Sequence, residues 1–247
     1  MAKRRSKSKN AKSSDVAGEA RTGVSSSWSK FKTERELLIS VIGYQFGPEP
    51  ETRMDEIRQG RKTHAERIIR FLDISENDVV VDFGSGVGFI AEWIAPHAQK
   101  VFCLDIGKHH VEYTRNYLQS HANVECHLIE YANFSSLIGR GVTKFYASAV
   151  FIHFCLWDIA IHLRRIHDIL VPGGKAYINI MNSDGLDVMR QPLFATQLAQ
   201  YERLLSPIYL VTWNSGSAVK SIAEYIGFSV ESVWSAPEGN TGLVFSR

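Results

Sequence analysis

At 247 residues, with 45% hydrophobic and 22% charged residues, the chain has the size and balance of one globular domain with extensions rather than two full domains. No apolar run approaches the ~20 residues that span a bilayer, and the N-terminus lacks the apolar core of a secretory leader, so neither is expected. Three cysteines without a CxxC pair point to a reduced, cytoplasmic chain with neither disulfide nor metal site.

The net charge of +2 conceals an asymmetry. Residues 1–12 carry six basic side chains and no acid, which leaves 22 basic against 26 acidic residues in the rest, near −4. The basic stretch runs on through Ser, Gly and Ala to Ser27, with almost nothing to bury, and is expected to be disordered. Such an arm lends salt-sensitive affinity for nucleic acid. The mainly acidic body argues against a dedicated nucleic-acid enzyme, and a solubilising tail is the simpler reading.

Beyond the tail, Trp28–Gly43 reads as a helix with Phe31, Leu37, Leu38, Val41 and Ile42 on one face. A Gly/Pro break over Phe46–Pro50 precedes a second helix, Glu51–Phe71. Strands and helices then alternate. Strands are predicted at Val79–Asp82, Val101–Asp105, Val124–Glu130, Phe145–Phe151 and Lys175–Met181. The helices between them are Phe89–Ala95, Lys108–His121 and Asp158–Leu170. Leu186–Leu205 and Ser215–Ile226 are further helices, the latter with a capping serine and a terminal Gly227. Phe228–Trp234 and Leu243–Ser246 close the chain as a hairpin. Strict alternation predicts a doubly wound α/β sheet, mostly parallel, with a C-terminal antiparallel hairpin.

The run VVVDFGSGVGFIA, Val79–Ala91, is the most informative in the chain. A strand ends in Asp82 and is followed at once by Gly84, Gly86 and Gly88 and a helix start. Glycines there let a backbone approach a nucleoside-bearing ligand. In a nicotinamide fingerprint the third glycine permits close helix–strand packing. Here it falls one position early and Phe89 holds that place. Asp105, ending the next strand, is placed to accept both hydroxyls of a ribose.

These segments together resemble class I S-adenosylmethionine-dependent methyltransferases. The resemblance rests on VVVDFGSGVGFIAEWIA, KVFCLDI, SAVFIHF, LRRIHDILVPGGKAYINI and SIAEYIGFSVESV, in the right order over about residues 60–247. IRQGRKTHAERIIRFL resembles bacterial methyltransferases of small metabolites or sugars. The family implies a Rossmann-like seven-stranded sheet and S-adenosyl-L-methionine as cofactor. It implies that Asp82 orients the loop or meets the methionine ammonium through water. Gly84, Ser85 and Gly86 would approach the methionine part, within the loop that Gly88 completes. Asp105 would grip the ribose with Ile106 against the adenine, and Glu130 and Tyr131 would contact the adenine amine and ring. Ala149 and Val150 would pass beneath the cofactor, and Arg61 is placed either to reach the methionine carboxylate or on a solvated helix face. Two departures stand out: Tyr146 follows Phe145 where an aspartate is frequent, and Ile129-Glu130-Tyr131 replaces a small residue plus acid.

Methyl transfer from a sulfonium is a displacement in which the protein aligns the reactants and removes a proton from a hydroxyl acceptor. His153, after the fourth strand, is the candidate catalytic base, with a structural part as the alternative. Asp158 is placed to orient it or to cap the following helix. His162 and His167 do not share a helix face, which argues against metal, and His109-His110 reads as surface. Trp28, Phe31, Tyr44 and Phe46 are candidates for a lid, and Phe194, Tyr201, Tyr209 and Trp213 for the opposite wall. Three parts are expected: a tail over 1–27, a helical substrate or lid segment over 28–72, and the catalytic domain over 73–247. The expected partner is a small-molecule or carbohydrate-like acceptor, with no membrane. An RNA or protein acceptor tethered by the basic tail, and a catalytically silent scaffold, are the alternatives.

Overall fold

The computed structural model describes Trp28, residues 30–42, residues 49–204 and residues 211–247. The predicted tail and the lid positions Tyr44 and Phe46 lie outside the described residues, as does Tyr209. Eight strands form one sheet among the described residues. In chain order they are β1 Val79–Phe83, β2 Lys100–Asp105, β3 Val124–Leu128, β4 Val142–Ala147, β5 Leu170–Asn182, β6 Trp213–Asn214, β7 Ser229–Ser235 and β8 Asn240–Ser246. The sheet order is β3-β2-β1-β4-β5-β8-β7, with the two-residue β6 pairing beside β5. β8 alone runs antiparallel to both of its neighbours. This is the expected doubly wound sheet with its closing hairpin, plus one short strand that the sequence did not signal.

Among the described residues the α-helices are α1 Glu34–Ile42, α2 Met54–Leu72, α3 Ala91–Ile94, α4 Lys108–Tyr117, α5 Ser135–Ile138, α6 Leu156–Ile169, α7 Pro192–Leu204 and α8 Gly216–Ile226. Strand alternation sends Val81, Phe83, Leu104, Phe145 and Ile178 to one face, where α6 and α8 cover them. Val80, Val101, Cys103, Tyr146 and Tyr177 go to the other face, under α2 and α3. Both faces are buried, as a parallel sheet requires. A third cluster joins Leu37, Leu38 and Ile42 of α1 to Ile57 of α2 and to Val87 and Phe89 of the glycine segment. Phe89, which spoiled the nicotinamide pattern, is thus a seat for the N-terminal helix.

Several boundaries moved for local reasons. α1 starts at Glu34 instead of Trp28, because Thr33 and Glu36 form a reciprocal cap. The Glu36 N–H donates to Thr33 Oγ1 at 3.3 Å, and Glu36 Oε2 accepts the N–H groups of Lys32 and Thr33 at 2.9 Å each. The helix expected over Phe89–Ala95 is only four residues of α-helix, continued by a 3-10 turn at Ala95–His97 that contains Pro96. The fourth strand starts three residues before Phe145 and ends four before Phe151, since Ala149 adopts a left-handed φ of 59° that interrupts the extended backbone. β5 begins at Leu170, through the Pro-Gly-Gly expected to separate it from the preceding helix, with Gly173 at φ 80°. The helix expected over Leu186–Leu205 opens as a 3-10 turn, Val188–Arg190, before α7 begins at Pro192. α8 is capped as its sequence indicated: Ser215 Oγ accepts the Ala218 N–H at 3.2 Å, and Gly227 is left-handed.

Candidate functional site

The carboxyl ends of β1 and β2 place the glycine loop against Asp105. Gly84 and Ser85 both donate their N–H groups to Leu104 O, at 2.7 and 3.0 Å. Gly86 N–H donates to Asp105 Oδ2 at 2.9 Å, and Gly107 N–H to Asp105 Oδ1 at 2.7 Å. Asp105 therefore holds the loop from below through Oδ2 and its own strand-to-α4 turn through Oδ1, while being only 8% exposed. Burial pushes its pKa up, and His110 together with these N–H groups opposes the rise.

The three glycines have φ of 73°, 56° and 82°, a region that L side chains rarely adopt. Their surroundings differ. A Cβ on Gly84 would stand 2.3 Å from Val150 Cγ2, and one on Gly86 2.8 Å from Val41 Cγ2. A Cβ on Gly88 would meet Thr114 of α4 at 2.8 Å. Gly88 serves the close helix packing that a third glycine allows, while the first two admit the β4 loop and α1. Ser85 belongs to the same turn, its carbonyl accepting the Gly88 N–H at 2.9 Å.

Asp82 lies beneath this loop, 3% exposed, and its Oδ2 has no hydrogen-bond partner. Burial pushes its pKa up to about 8; Tyr146 works against the rise, and nearby Asp105 adds to it. In register across the sheet stand Cys126, Cys103, Asp82, Tyr146 and Tyr177, a polar row within an apolar face. Arg61 of α2 makes no ion pair or hydrogen bond among the described residues, and burial lowers its pKa. One turn on, His64 Nε2 is 3.1 Å from Ser148 Oγ at the end of β4. An orphaned acid, an unmatched guanidinium and a glycine loop together suit a ligand that carries an ammonium, a carboxylate and a nucleoside.

Of the other predicted positions, Ile106 is half-buried and packs on the main core. Glu130 is exposed. Tyr131, at φ 46°, donates its hydroxyl to Asp158 Oδ1 and sets its ring 5.0 Å from that of His162. This corrects both expectations for Asp158: it neither reaches His153 nor caps α6, whose N-cap Cys155 gives its thiol to Asp158 Oδ2 at 3.1 Å. His162 is buried in a cage of Phe83, Tyr131, Phe134, Phe151 and Phe154 rings. Burial lowers its pKa to about 4, so it is a neutral packing residue. Among the described residues no group of His, Cys, Asp and Glu is arranged for a metal.

The Ser148–Val150 turn is held from β5. Asn179 Oδ1 accepts the Ala149 N–H at 2.7 Å, and Asn179 Nδ2 donates to Asn240 Oδ1 at 3.0 Å. Val150 packs over Gly84 as above, and Ala149 is exposed. His153 sits in the 3-10 turn Phe151–His153, its carbonyl accepting from Thr212 Oγ1 at 3.3 Å. The Trp28 ring lies 6.4 Å from the His153 ring and 6.1 Å from the His110 ring. Trp28 thereby spans the carboxyl edge from the β2 side to the β4 side, and Phe31 adds a second ring against His110 at 6.1 Å. Trp213, from the opposite wall, pairs with Met181 at the end of β5; Phe194 is half-buried in α7.

A second residue was misjudged. His110, expected at the surface, is 1% exposed and bonded through Nε2 to Ser40 Oγ at 2.8 Å. Its position three residues past Gly107, in the first turn of α4, was the available signal.

Residues 80–174 match a family described as a methyltransferase domain. Over 82 residues the chain is 28% identical to the probable ribosomal RNA small subunit methyltransferase A of Pyrococcus abyssi, a match covering 33% of this chain and 30% of that relative. Among solved structures it resembles the N-methyltransferase NodS of Bradyrhizobium japonicum, bound to S-adenosyl-L-homocysteine. The TM-score is 0.59 at 11% identity, over 91% of this chain and 98% of that one. It also resembles an O-methyltransferase family protein of Burkholderia thailandensis, with a TM-score of 0.59 at 10% identity over 94% and 70% of the two chains. At such identities the likeness is one of fold.

Proposed function

We propose that the chain is a class I S-adenosylmethionine-dependent methyltransferase, with S-adenosyl-L-methionine as its cofactor, that methylates a small-molecule or carbohydrate-like acceptor presented beside His153. The observation that carries the donor site is the partnerless Asp82 carboxyl oxygen beneath a three-glycine loop whose floor is Asp105. The bound cofactor supplies an activated methyl on a sulfonium, so the protein has only to align the acceptor and dispose of a proton.

In this reading Asp82 meets the methionine ammonium through water, and Arg61 the carboxylate. Gly84, Ser85 and Gly86 let the ligand lie against backbone, within a turn that Gly88 closes. Asp105 accepts from the ribose while keeping its bonds to the loop, since each carboxylate oxygen has a second lone pair. Ile106, Glu130 and Tyr131 border the adenine, and Ala149 and Val150 border the methionine side. Residues 28–72 form the lid segment: α1 already rests on the loop through Val41, and Trp28 bridges to His153. His153 takes the acceptor proton. The aromatic cover over it favours a small, partly apolar acceptor and excludes water from the reacting atoms.

Calorimetry with S-adenosylhomocysteine is expected to give micromolar-range binding that Asp105→Ala abolishes. Absence of binding by the wild-type protein would sink the proposal. Screening candidate acceptors by mass spectrometry then separates a turning-over enzyme from a silent scaffold. The similarity to a ribosomal RNA methyltransferase supports a second reading, in which the basic tail tethers an RNA acceptor. Under it, deleting residues 1–27 weakens RNA methylation in a salt-dependent way; kinetics unchanged by the deletion count against it.

A further inference from the structure

We infer that Cys126 and Cys103 form a peroxide-reactive dithiol, a thiol modification site whose closure to a disulfide loosens the glycine loop. The modification stands apart from the cofactor reading above; only its effect on ligand affinity rests on that reading.

Sheet register supplies the pair. β2 and β3 run parallel with Cys103 opposite Cys126, so both side chains leave the same face of the sheet. Partners on neighbouring strands lie about 4.8 Å apart, inside the Cα separation of about 4.4–6.8 Å that a disulfide spans. The two thiols are in hydrogen-bond contact, Cys103 donating and Cys126 accepting.

Their surroundings give them different roles. β3 is an edge of the sheet, and Cys126 on it is half-buried, within reach of a small oxidant. Cys103, one strand inward, is fully buried in the apolar face. Arg115 of α4 donates to the Cys126 carbonyl at 2.9 Å, which fixes a guanidinium beside this residue. The Cys103 hydrogen bond holds the Cys126 thiol below its usual pKa against burial, and Arg115 adds to the lowering. Donation to Cys126, burial and the nearby Asp82 push the Cys103 thiol up. Cys126 is therefore the thiol that attacks, and Cys103 the one that resolves.

The oxidant is hydrogen peroxide. The Cys126 thiolate attacks one oxygen; an S–O bond forms, the O–O bond breaks, and hydroxide leaves with the thiol proton as water. The Cys103 sulfur then displaces hydroxide from this sulfenic acid. An S–S bond forms, the S–O bond breaks, and the Cys103 proton departs in a second water. The two sulfurs together give up two electrons, and one peroxide becomes two waters.

Closure acts on the loop through adjacent atoms. Cys103 precedes Leu104, whose carbonyl accepts the N–H groups of Gly84 and Ser85, and Asp105, which accepts that of Gly86. A disulfide needs its Cβ atoms about 3.5–4.5 Å apart, closer than parallel partners stand, so the bond draws β2 toward β3 at this point. The backbone that carries the loop moves with it.

The test is made on the full chain with the exposed Cys155 replaced, Cys155→Ser, so that no third thiol competes. After equimolar peroxide, peptide mapping is expected to show a Cys103–Cys126 cross-link that dithiothreitol removes. Adding Cys103→Ser should arrest Cys126 as a sulfenic acid that dimedone traps. Cys126 left reduced, a sulfenic acid that persists while Cys103 is present, or oxidation that begins at Cys103 overturns the inference. Amide hydrogen exchange then reads the loop without any ligand: residues 84–86 are expected to exchange about tenfold faster in the disulfide form. Unchanged exchange there overturns the link to the loop. S-adenosylhomocysteine is expected to bind the disulfide form about tenfold more weakly than the reduced form, and equal affinities also overturn that link. Failure of the reduced protein to bind it at all is a different result, which refutes the cofactor reading while mapping and exchange still decide this one.

Discussion

The two halves of the carboxyl edge are built by different means. On the β1–β2 side the loop is fixed by backbone: three left-handed glycines, two N–H groups on Leu104 O, and one strand-end acid. On the β4–β6 side it is fixed by side-chain amides. Asn179 holds Ala149, Asn182 Oδ1 accepts the N–H groups of Asp184 and Gly216 at 2.9 and 2.8 Å, and Asn214 Nδ2 donates to Phe154 O at 2.8 Å. Asn179 and Asn214 are each only 6% exposed, so these amides are internal struts. The first construction depends on which residue stands at each position of one short segment. The second depends on partners brought together by the whole sheet.

Four perturbations test that contrast, taken from the largest effect downward. The first concerns Asp82. Its folded pKa, raised to about 8 by burial, lies above its unfolded value, so the folded state binds more protons between about pH 4 and 8. Stability is therefore highest below that window and falls as pH rises through it, by at most about 1.4 kcal/mol per pH unit. Asp82→Asn should flatten the decline in melting temperature between pH 5 and 8; an unchanged slope would show that Asp82 is solvated.

Next, Gly86→Ala places a Cβ at φ 56° and 2.8 Å from Val41, costing about 2 kcal/mol, or roughly 4–8 °C in melting temperature. Adding Val41→Ala should recover the steric share and leave the backbone share. Full recovery would contradict a backbone-determined loop.

On the other side, Asn179→Ala removes the acceptor for Ala149 N–H and should cost about 1–2 kcal/mol by denaturant unfolding. Asn179→Asp, which keeps that acceptor but not the donor to Asn240, should lose less. Equal losses would mean that the Ala149 bond contributes nothing. The smallest change is a gain: Ala149→Gly relieves a left-handed alanine and should stabilise by up to about 1 kcal/mol. A loss there would show that the turn is held without strain.

Much of the fold was legible because it is periodic. The alternation of strands and helices, the closing hairpin and the Ser215–Gly227 limits of α8 each follow from a pattern a few residues long. The same holds for the loop and for Asp105. Boundaries failed where a single residue left the regular pattern, as Ala149 did by turning left-handed after β4, or where a proline tightened a helix into 3-10 form at Pro96. Asp158 failed for another reason: its position suggested a cap or an orienting acid, and the left-handed Tyr131 took its carboxylate from across the fold.

By itself the sequence determined the glycine-loop half of the candidate site, because a glycine turn and a strand-end carboxylate act through atoms adjacent in the chain. Only the tertiary structure decided that His110 is buried with one nitrogen on Ser40 and the other bare, that α1 sits on the loop through Val41 and Phe89, and that asparagines brace the β4–β6 side. Each of these is a contact between residues far apart in sequence, whose meeting is dictated by sheet order and packing and leaves no local pattern to read.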